Sequence, residues 1–227
     1  MDTPSGLDNP IWSALRDLHR TIARTADGMA RYPAGFAPFL GMADPGADPG
    51  GLAALVEPGE AVLLLGVPPR AVPPGWTLET FAPLAQMACD APLPLPDGAP
   101  MQPLGDAHRD EVLALTALVY PHYFRPRTME LGRYFGIHRD GRLAAMIGER
   151  LGCDGARELS AICTHPDFLG QGHARRLTAM LANDTLARGQ LPFLHVAHAN
   201  ARAKALYERI GFRHRRDIGF WRLQRPA

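Results

Sequence analysis

One stretch constrains the fold more than any other: Leu159-Ser-Ala-Ile-Cys-Thr-His-Pro-Asp-Phe-Leu-Gly-Gln-Gly-His-Ala-Arg-Arg-Leu177 and the helical pattern that follows it. Leu159 to Cys163 is a short apolar run and reads as a buried strand. Pro166 ends it, because proline cannot donate to a ladder and pushes His165 towards an extended conformation. Gly170 and Gly172 then remove two side chains just before Ala174, Leu177, Met180, Leu181, Ala182 and Leu186 recur three and four apart, the period of an amphipathic helix. Gly189 is its expected stop. Strand, glycine loop and helix start together make a site for phosphate. The first N–H groups of a helix lack partners within it, the dipole is positive there, and glycines let an anion reach the main chain. A purely structural strand-to-helix turn carries the same local pattern, so other residues must decide between the two.

Pro192 to Val196 reads as another strand, and Asn200-Ala-Arg-Ala-Lys-Ala-Leu-Tyr-Glu-Arg-Ile-Gly-Phe212 as a helix closing on glycine. With the glycine loop, these resemble the GNAT superfamily of N-acetyltransferases, in particular a subgroup with Cys-Thr-His-Pro before the loop, the FR-type C-terminal acetyltransferase domain. In that family the loop reads Arg/Gln-x-x-Gly-x-Gly/Ala and the later helix reads Asn-x-x-Ala-x-x-Leu-Tyr-x-x-x-Gly-Phe. The helix pattern is matched at Asn200, Ala203, Leu206, Tyr207, Gly211 and Phe212. The loop pattern is matched at Gly172 and Ala174, with Leu169 where Arg or Gln is usual. A side-chain contact at that point is lost; the backbone contacts are kept.

The resemblance implies an α/β (α+β) fold, a mixed central sheet flanked by helices, with two helices between its first and second strands. Residues 101–227 are the expected acetyltransferase domain, acting on acetyl-CoA as co-substrate. It further implies that the amides of Leu169, Gly170, Gln171, Gly172, His173 and Ala174 hold a pyrophosphate. Ile162, Cys163 and Thr164 would pair with a pantetheine arm as a strand does, so their strand should splay from its neighbour after Cys163. Asn200 and Ala203 would bind the same arm. Tyr207, seven residues beyond Asn200 and on the same helical face, would protonate the departing thiolate, since a phenol titrates at about 10, near a thiol.

Glu158 is the first candidate for the base that deprotonates the amine, with Glu149 second, acting directly or through water. His195 is a third option, although a histidine within Phe-Leu-His-Val is more often satisfied in a core. Tyr120, His122, Tyr123 and Phe124 would line the acceptor site, and Arg125 and Arg127 could bind a carboxylate. The acceptor itself is a small-molecule or peptide amine, and a homodimer is left open. The alternative is a non-catalytic acyl-CoA-binding or regulatory protein of the same fold.

The rest of the chain says less about chemistry. Seventeen of its 22 prolines lie in residues 1–103, which hold 5 Arg and 11 Asp or Glu, a net of −6. Residues 104–227 hold 19 Lys or Arg against 12 acids, a net of +7 that suits a polyanionic ligand. Nucleic acid is not expected, because the whole chain carries only +1 and has no basic stretch interleaved with aromatics. Residues 1–100 read as an α/β region that suits either a degenerate GNAT-like unit or a cover over the catalytic half. Within it, Asn9-Pro10 should open a helix, and Ala61 to Val67 and Thr77 to Phe81 read as strands. Ala91 to Pro100 reads as an extended linker. Three cysteines without Cys-x-x-Cys spacing suit a reducing, cytoplasmic setting, and neither a leader nor a membrane span is read from the sequence. No metal is expected, because His195 and His198, three apart on a strand, point to opposite faces.

Overall fold

The computed structural model describes residues 5–119 and 121–227; residues 1–4, the start of the stretch read as lacking a leader, and Tyr120 lie outside it. In chain order the elements are α1 (Pro10–Arg16), β1 (Arg24–Ala26), β2 (Met29–Arg31), β3 (Leu40–Met42), α2 (Gly50–Leu55), β4 (Ala61–Leu65), β5 (Thr77–Ala88) and β6 (Gln102–Leu104). There follow α3 (Arg109–Val119), β7 (Tyr134–Arg139), β8 (Arg142–Cys153), β9 (Ala156–Thr164), α4 (His173–Ala187), β10 (Leu191–Ala197), α5 (Ala201–Ile210) and β11 (Arg213–Gln224).

A small sheet has the order β1-β2-β3, and an eight-stranded sheet has the order β4-β11-β5-β10-β9-β8-β7-β6. β9 and β10 run parallel, while the other neighbours are antiparallel. The architecture is therefore a mixed sheet flanked by helices. Strands from both sides of residue 100 share it, since β5 lies between β10 and β11. β5 runs well past the expected end at Phe81. Proline is tolerated inside it because the register jumps from Ile218↔Leu84 to Phe220↔Phe81, leaving Pro83 in an irregularity where no ladder donor is needed.

Local chemistry explains most of the other boundaries. The β7–β8 hairpin turns on Asp140 and Gly141, both at positive φ (51° and 72°), as a primed two-residue turn requires. α4 buries Leu177, Ala179, Leu181 and Ala182 against Leu159, Leu194 and Phe212. Each buried leucine contributes about 1.5–3 kcal/mol. Among the described residues, only one α-helix forms between β6 and β7, not the expected two. Pro121 and Pro126 break the second, and what remains is a turn and a single 3-10 turn at Thr128–Leu131. Residues 91–100 have no regular structure but are tied to α4. The Asn183 side chain exchanges hydrogen bonds with Leu93 N and O (2.7 and 2.8 Å), and Arg176 donates to the carbonyls of Ala99 (3.0 Å) and Pro96. Among the described residues, no helix is long and apolar enough to cross a membrane.

Candidate active site

The site begins where two parallel strands part. β10 pairs with β9 only from Leu191↔Ala156 to Phe193↔Glu158, then stays with β5 through Ala197↔Leu84. The splay thus opens at Glu158, five residues before the Cys163 expected from sequence, because a strand of the N-terminal half holds β10 on its other edge. β9 itself is bent. Its register against β8 jumps from Met146↔Cys163 to Gly148↔Ser160, a bulge of one extra residue, and Ala161 sits at φ 50°. A non-glycine residue in that region costs about 1–2 kcal/mol, which the flanking ladder must hold in place. The result is an open edge over Leu159–Thr164 facing a cavity of 290 Å³ lined by Ile162, Cys163, His195, Asn200 and Tyr207, among others.

A second cavity, of 520 Å³, adjoins it at Val119, Ile162, Asn200, Ala203 and Tyr207. Thr164, Leu169, Gly170, Gly172, His173 and Ala174 line it; Gln171 does not, and Cys163 faces the first cavity only. Gly170 and Gly172 have φ of 80° and 77°, and a side chain at either would meet nothing within 4 Å. Glycine is needed there for conformation, not for space. Gly172 carries no side-chain cap for α4, whose first helical bond is Arg176 N–H to Gly172 O at 3.0 Å. Among the described residues, none accepts from the N–H groups of Gly170, Gln171 or Gly172. His173 is buried with Nε2 unpartnered, and burial, then the Arg139 charge, lowers its pKa. A cradle of unused donors at a helix start fits a phosphate. Arg175, Arg202 and Arg209 also line this cavity. The sequence reading missed them individually, although the basic half pointed to their charge.

Tyr207 is buried at the junction of the two cavities, its ring 6.1 Å from Phe212. Asn200 caps α5, its Oδ1 accepting from Ala203 N–H at 3.1 Å. That leaves its amide NH2 as the group able to reach a ligand.

Glu158 lies at the floor of the first cavity, 1% exposed. Its Oε2 accepts from Arg150 Nε (3.0 Å) and Leu151 N–H (3.1 Å); its Oε1 accepts from Arg150 Nη2 and His195 Nδ1, both at 2.8 Å. Burial works to raise its pKa, but the Arg150 charge and the bonds from His195 and Arg150 outweigh it and hold the carboxyl at about 2. His195 Nε2 is 3.0 Å from the Gln86 amide nitrogen. That amide also donates to Leu7 O, and its Oε1 accepts from Arg215, which fixes its orientation. Gln86 therefore donates to His195 Nε2, and Nδ1–H donates to Glu158. Glu149, the second candidate base, is drawn away from this site. It accepts from Arg133 N–H, Nε and Nη2 (3.2, 3.1 and 2.5 Å) and lines a separate cleft with His19, Arg127 and Arg157.

Of the expected acceptor residues, Tyr120 lies outside the described residues. Tyr123 lines the first cavity, stacked 6.4 Å from Phe39 and edge-on 6.2 Å from Phe220. Phe124 turns instead onto Tyr134, and His122 is exposed beside Tyr123. Arg127 is bound to Glu130 and packed 4.0 Å over the Phe36 ring. The loop is moored to the N-terminal half by Thr128 Oγ1 to Phe36 O (2.7 Å) and by His19 Nε2 to Leu131 O (2.9 Å). The sequence reading missed the rest of this wall: Ile11, Phe39, Leu65, Leu84 and Phe220. They lie far apart in the chain and read only as core.

Among the described residues, one set of metal-ligand types does assemble, at exposed His198, His214 and Asp217, with both Nε2 atoms 2.8 Å from Asp217 Oδ1. His195 and His198 do not share a strand as expected, because β10 ends at Ala197 and His198 stands exposed in the turn after it, while His195 is held by Glu158. Lys204 Nζ stands 3.5 Å from His198 Nδ1, a cation that works against a divalent ion here.

The FR47-like protein family matches residues 134–221. Among solved structures, a candidate acetyltransferase of the GNAT family from Novosphingobium aromaticivorans is 34% identical, with a TM-score of 0.89 over 99% of this chain and 100% of that one. A GCN5-related N-acetyltransferase from Kribbella flavida is 18% identical (TM-score 0.62, 96% and 95% covered). A GCN5-related N-acetyltransferase-like protein from Streptococcus suis is 16% identical (TM-score 0.58, 99% and 94% covered). The last two carry the fold alone. No curated protein matches.

Proposed function

The chain belongs to the GNAT family of acetyltransferases, and from that premise we propose that it transfers an acetyl group from acetyl-CoA to an amine by direct attack, without a covalent enzyme intermediate. The observation that carries this reading is the meeting of the open β9 edge, the donor-rich start of α4 and Tyr207 at one junction. The unpartnered loop amides and the buried, unpaired His173 Nε2 fit a pyrophosphate. When bound, acetyl-CoA supplies an acetyl carbon activated as a thioester.

The chain's own residues do the rest. Amides of Gly170 to Ala174 anchor the phosphates, the Leu169 N–H being taken by Pro166 O (3.3 Å), with Arg175, Arg202 and Arg209 as counter-charges. The open edge at Ile162–Thr164 aligns the pantetheine arm and directs main-chain N–H groups at the carbonyl oxygen, where charge develops. The amine nitrogen bonds to the acetyl carbon as the carbon–sulfur bond breaks. Tyr207 gives its hydroxyl proton to the sulfur and is reprotonated from water, which also takes the proton lost by the amine. Glu158 has its four acceptor directions taken, so we assign it an electrostatic role, holding Arg150 and His195 in place, and give proton removal to water at the cavity mouth. Residues 101–227 carry this machinery and residues 1–100 complete its acceptor side.

The test is thiol release from acetyl-CoA across a panel of amines with Tyr207→Phe alongside. Turnover that falls about a hundredfold in the variant, with acetyl-CoA affinity kept, supports the reading. Binding of acetyl-CoA without turnover of any amine would favour the non-catalytic acyl-CoA-binding protein instead.

A further inference from the structure

The wall of the first cavity away from the cofactor cleft is nearly all apolar. It is formed by Ile11 of α1, Phe39 before β3, Leu65 of β4, Leu84 of β5, Tyr123 of the α3–β7 loop and Phe220 of β11. Four of the six come from residues 1–100. Among the described residues, the charged groups lining this cavity are Glu158 and Arg150, bound to each other, and His195 donates to Glu158. Arg150 also lies 4.9 Å over the Phe39 ring. A second ammonium on an acceptor would therefore find its would-be carboxylate already neutralised, and an acceptor carboxylate would find the guanidinium already committed. Either charge would be desolvated here without a new partner. At 290 Å³ the cavity sits at the low end of small-molecule sites, roughly 300–1,000 Å³. An apolar body of modest size gains from this wall what a polar one loses.

We propose that the acceptor is a small primary amine with a compact aliphatic or aromatic body and no charge beyond its amino group, selected by a wall that the N-terminal half contributes. The inference rests on the acetyltransferase reading above. It gives residues 1–100 a role in specificity: Phe39, Leu65 and Leu84 touch the acceptor while the cofactor cleft lies wholly in residues 101–227.

The full-length chain is titrated with acetyl-CoA, then assayed for thiol release with benzylamine, phenethylamine and isoamylamine. Spermidine, phenylalanine and an alanine-initiated peptide form the comparison set. Leu84→Gln and Phe39→Ala are assayed in parallel, Leu84 being the half-buried position of the two. The expected result is preference for the uncharged-body amines, and a KM for them raised about tenfold or more in either variant with acetyl-CoA affinity unchanged. Better turnover of spermidine, phenylalanine or the peptide overturns the proposal while leaving the acetyltransferase reading intact. So does a folded Leu84→Gln chain with an unaltered KM. Acetyl-CoA binding without turnover of any apolar-bodied amine overturns it too. Failure to bind acetyl-CoA brings down the underlying reading, and this inference with it.

Discussion

The two cavities that meet at Tyr207 are built in opposite ways. The proposed cofactor side comes largely from two short runs, residues 162–175 and 200–209, and its main donors are main-chain N–H groups. The proposed acceptor side draws single side chains from α1, the segment before β3, β4, β5, a loop and β11. Backbone chemistry needs only a local conformation, which glycine, proline and helix-start signals encode. A wall of side chains needs the whole tertiary fold. The first side should accordingly tolerate side-chain change and resent backbone change; the second should do the reverse.

The largest effect is expected at the floor of the first cavity. Glu158→Gln leaves Arg150 buried without its counter-charge and should lose about 3–5 kcal/mol of stability in urea unfolding. The same carboxylate sets an acid limit. Its folded pKa, about 2, lies below the ordinary glutamate value of 4.5. Its contribution is therefore complete above about pH 4.5 and is lost as pH falls towards 2. Wild type and Glu158→Gln should thus converge in stability over that window; a gap that stays constant down to pH 2 would show that the pair is not ionic in the fold.

Next comes Tyr207→Phe, for which a kcat loss of about a hundredfold, or about 2.7 kcal/mol, is expected with little change in folding. A kcat within twofold of wild type would remove the proton donor from the account. Gly172→Val should cost about 1–3 kcal/mol through a β-branched residue at φ 77°, and acetyl-CoA affinity should fall with it. Since the substituted side chain would meet nothing within 4 Å, an unchanged affinity in calorimetry would mean that the loop backbone is not the binding element. The smallest effect is expected at Leu169, which is 48% exposed. Leu169→Arg, one of the two residues usual in the family pattern, should change stability by less than about 0.5 kcal/mol. An acetyl-CoA affinity gain far above tenfold there would show that side chains, not amides, dominate the cofactor side.

The same contrast explains what could be read from the sequence. α4, β10 and α5 were legible because Gly172 and Gly211, at positive φ, and Asn200, a side-chain cap, mark the helix limits. The glycine loop was legible from its own residues, and Tyr207 from the resemblance to the GNAT family. The early splay at Glu158 was not legible, since it depends on β5, more than sixty residues upstream, holding the far edge of β10. Gln86 likewise reads as an ordinary strand polar residue until the fold sets it against His195. Phe39, Leu65 and Leu84 gave no signal at all: an apolar residue lining a cavity and one filling a core are the same letter. The missing second helix was foreseeable from Pro121 and Pro126, whose effect the family pattern overrode.

The central claim is that this junction binds acyl-CoA through the start of α4. It is tested most directly by thermal unfolding with and without acetyl-CoA at about a hundred times its Kd, where one-site linkage gives about 2.7 kcal/mol of stabilisation. For a chain of this length that corresponds to a rise in Tm of roughly 5–10 °C, reduced in Gly172→Val. A midpoint that does not move with acetyl-CoA or any other acyl-CoA, in a protein that unfolds cooperatively, would contradict the account.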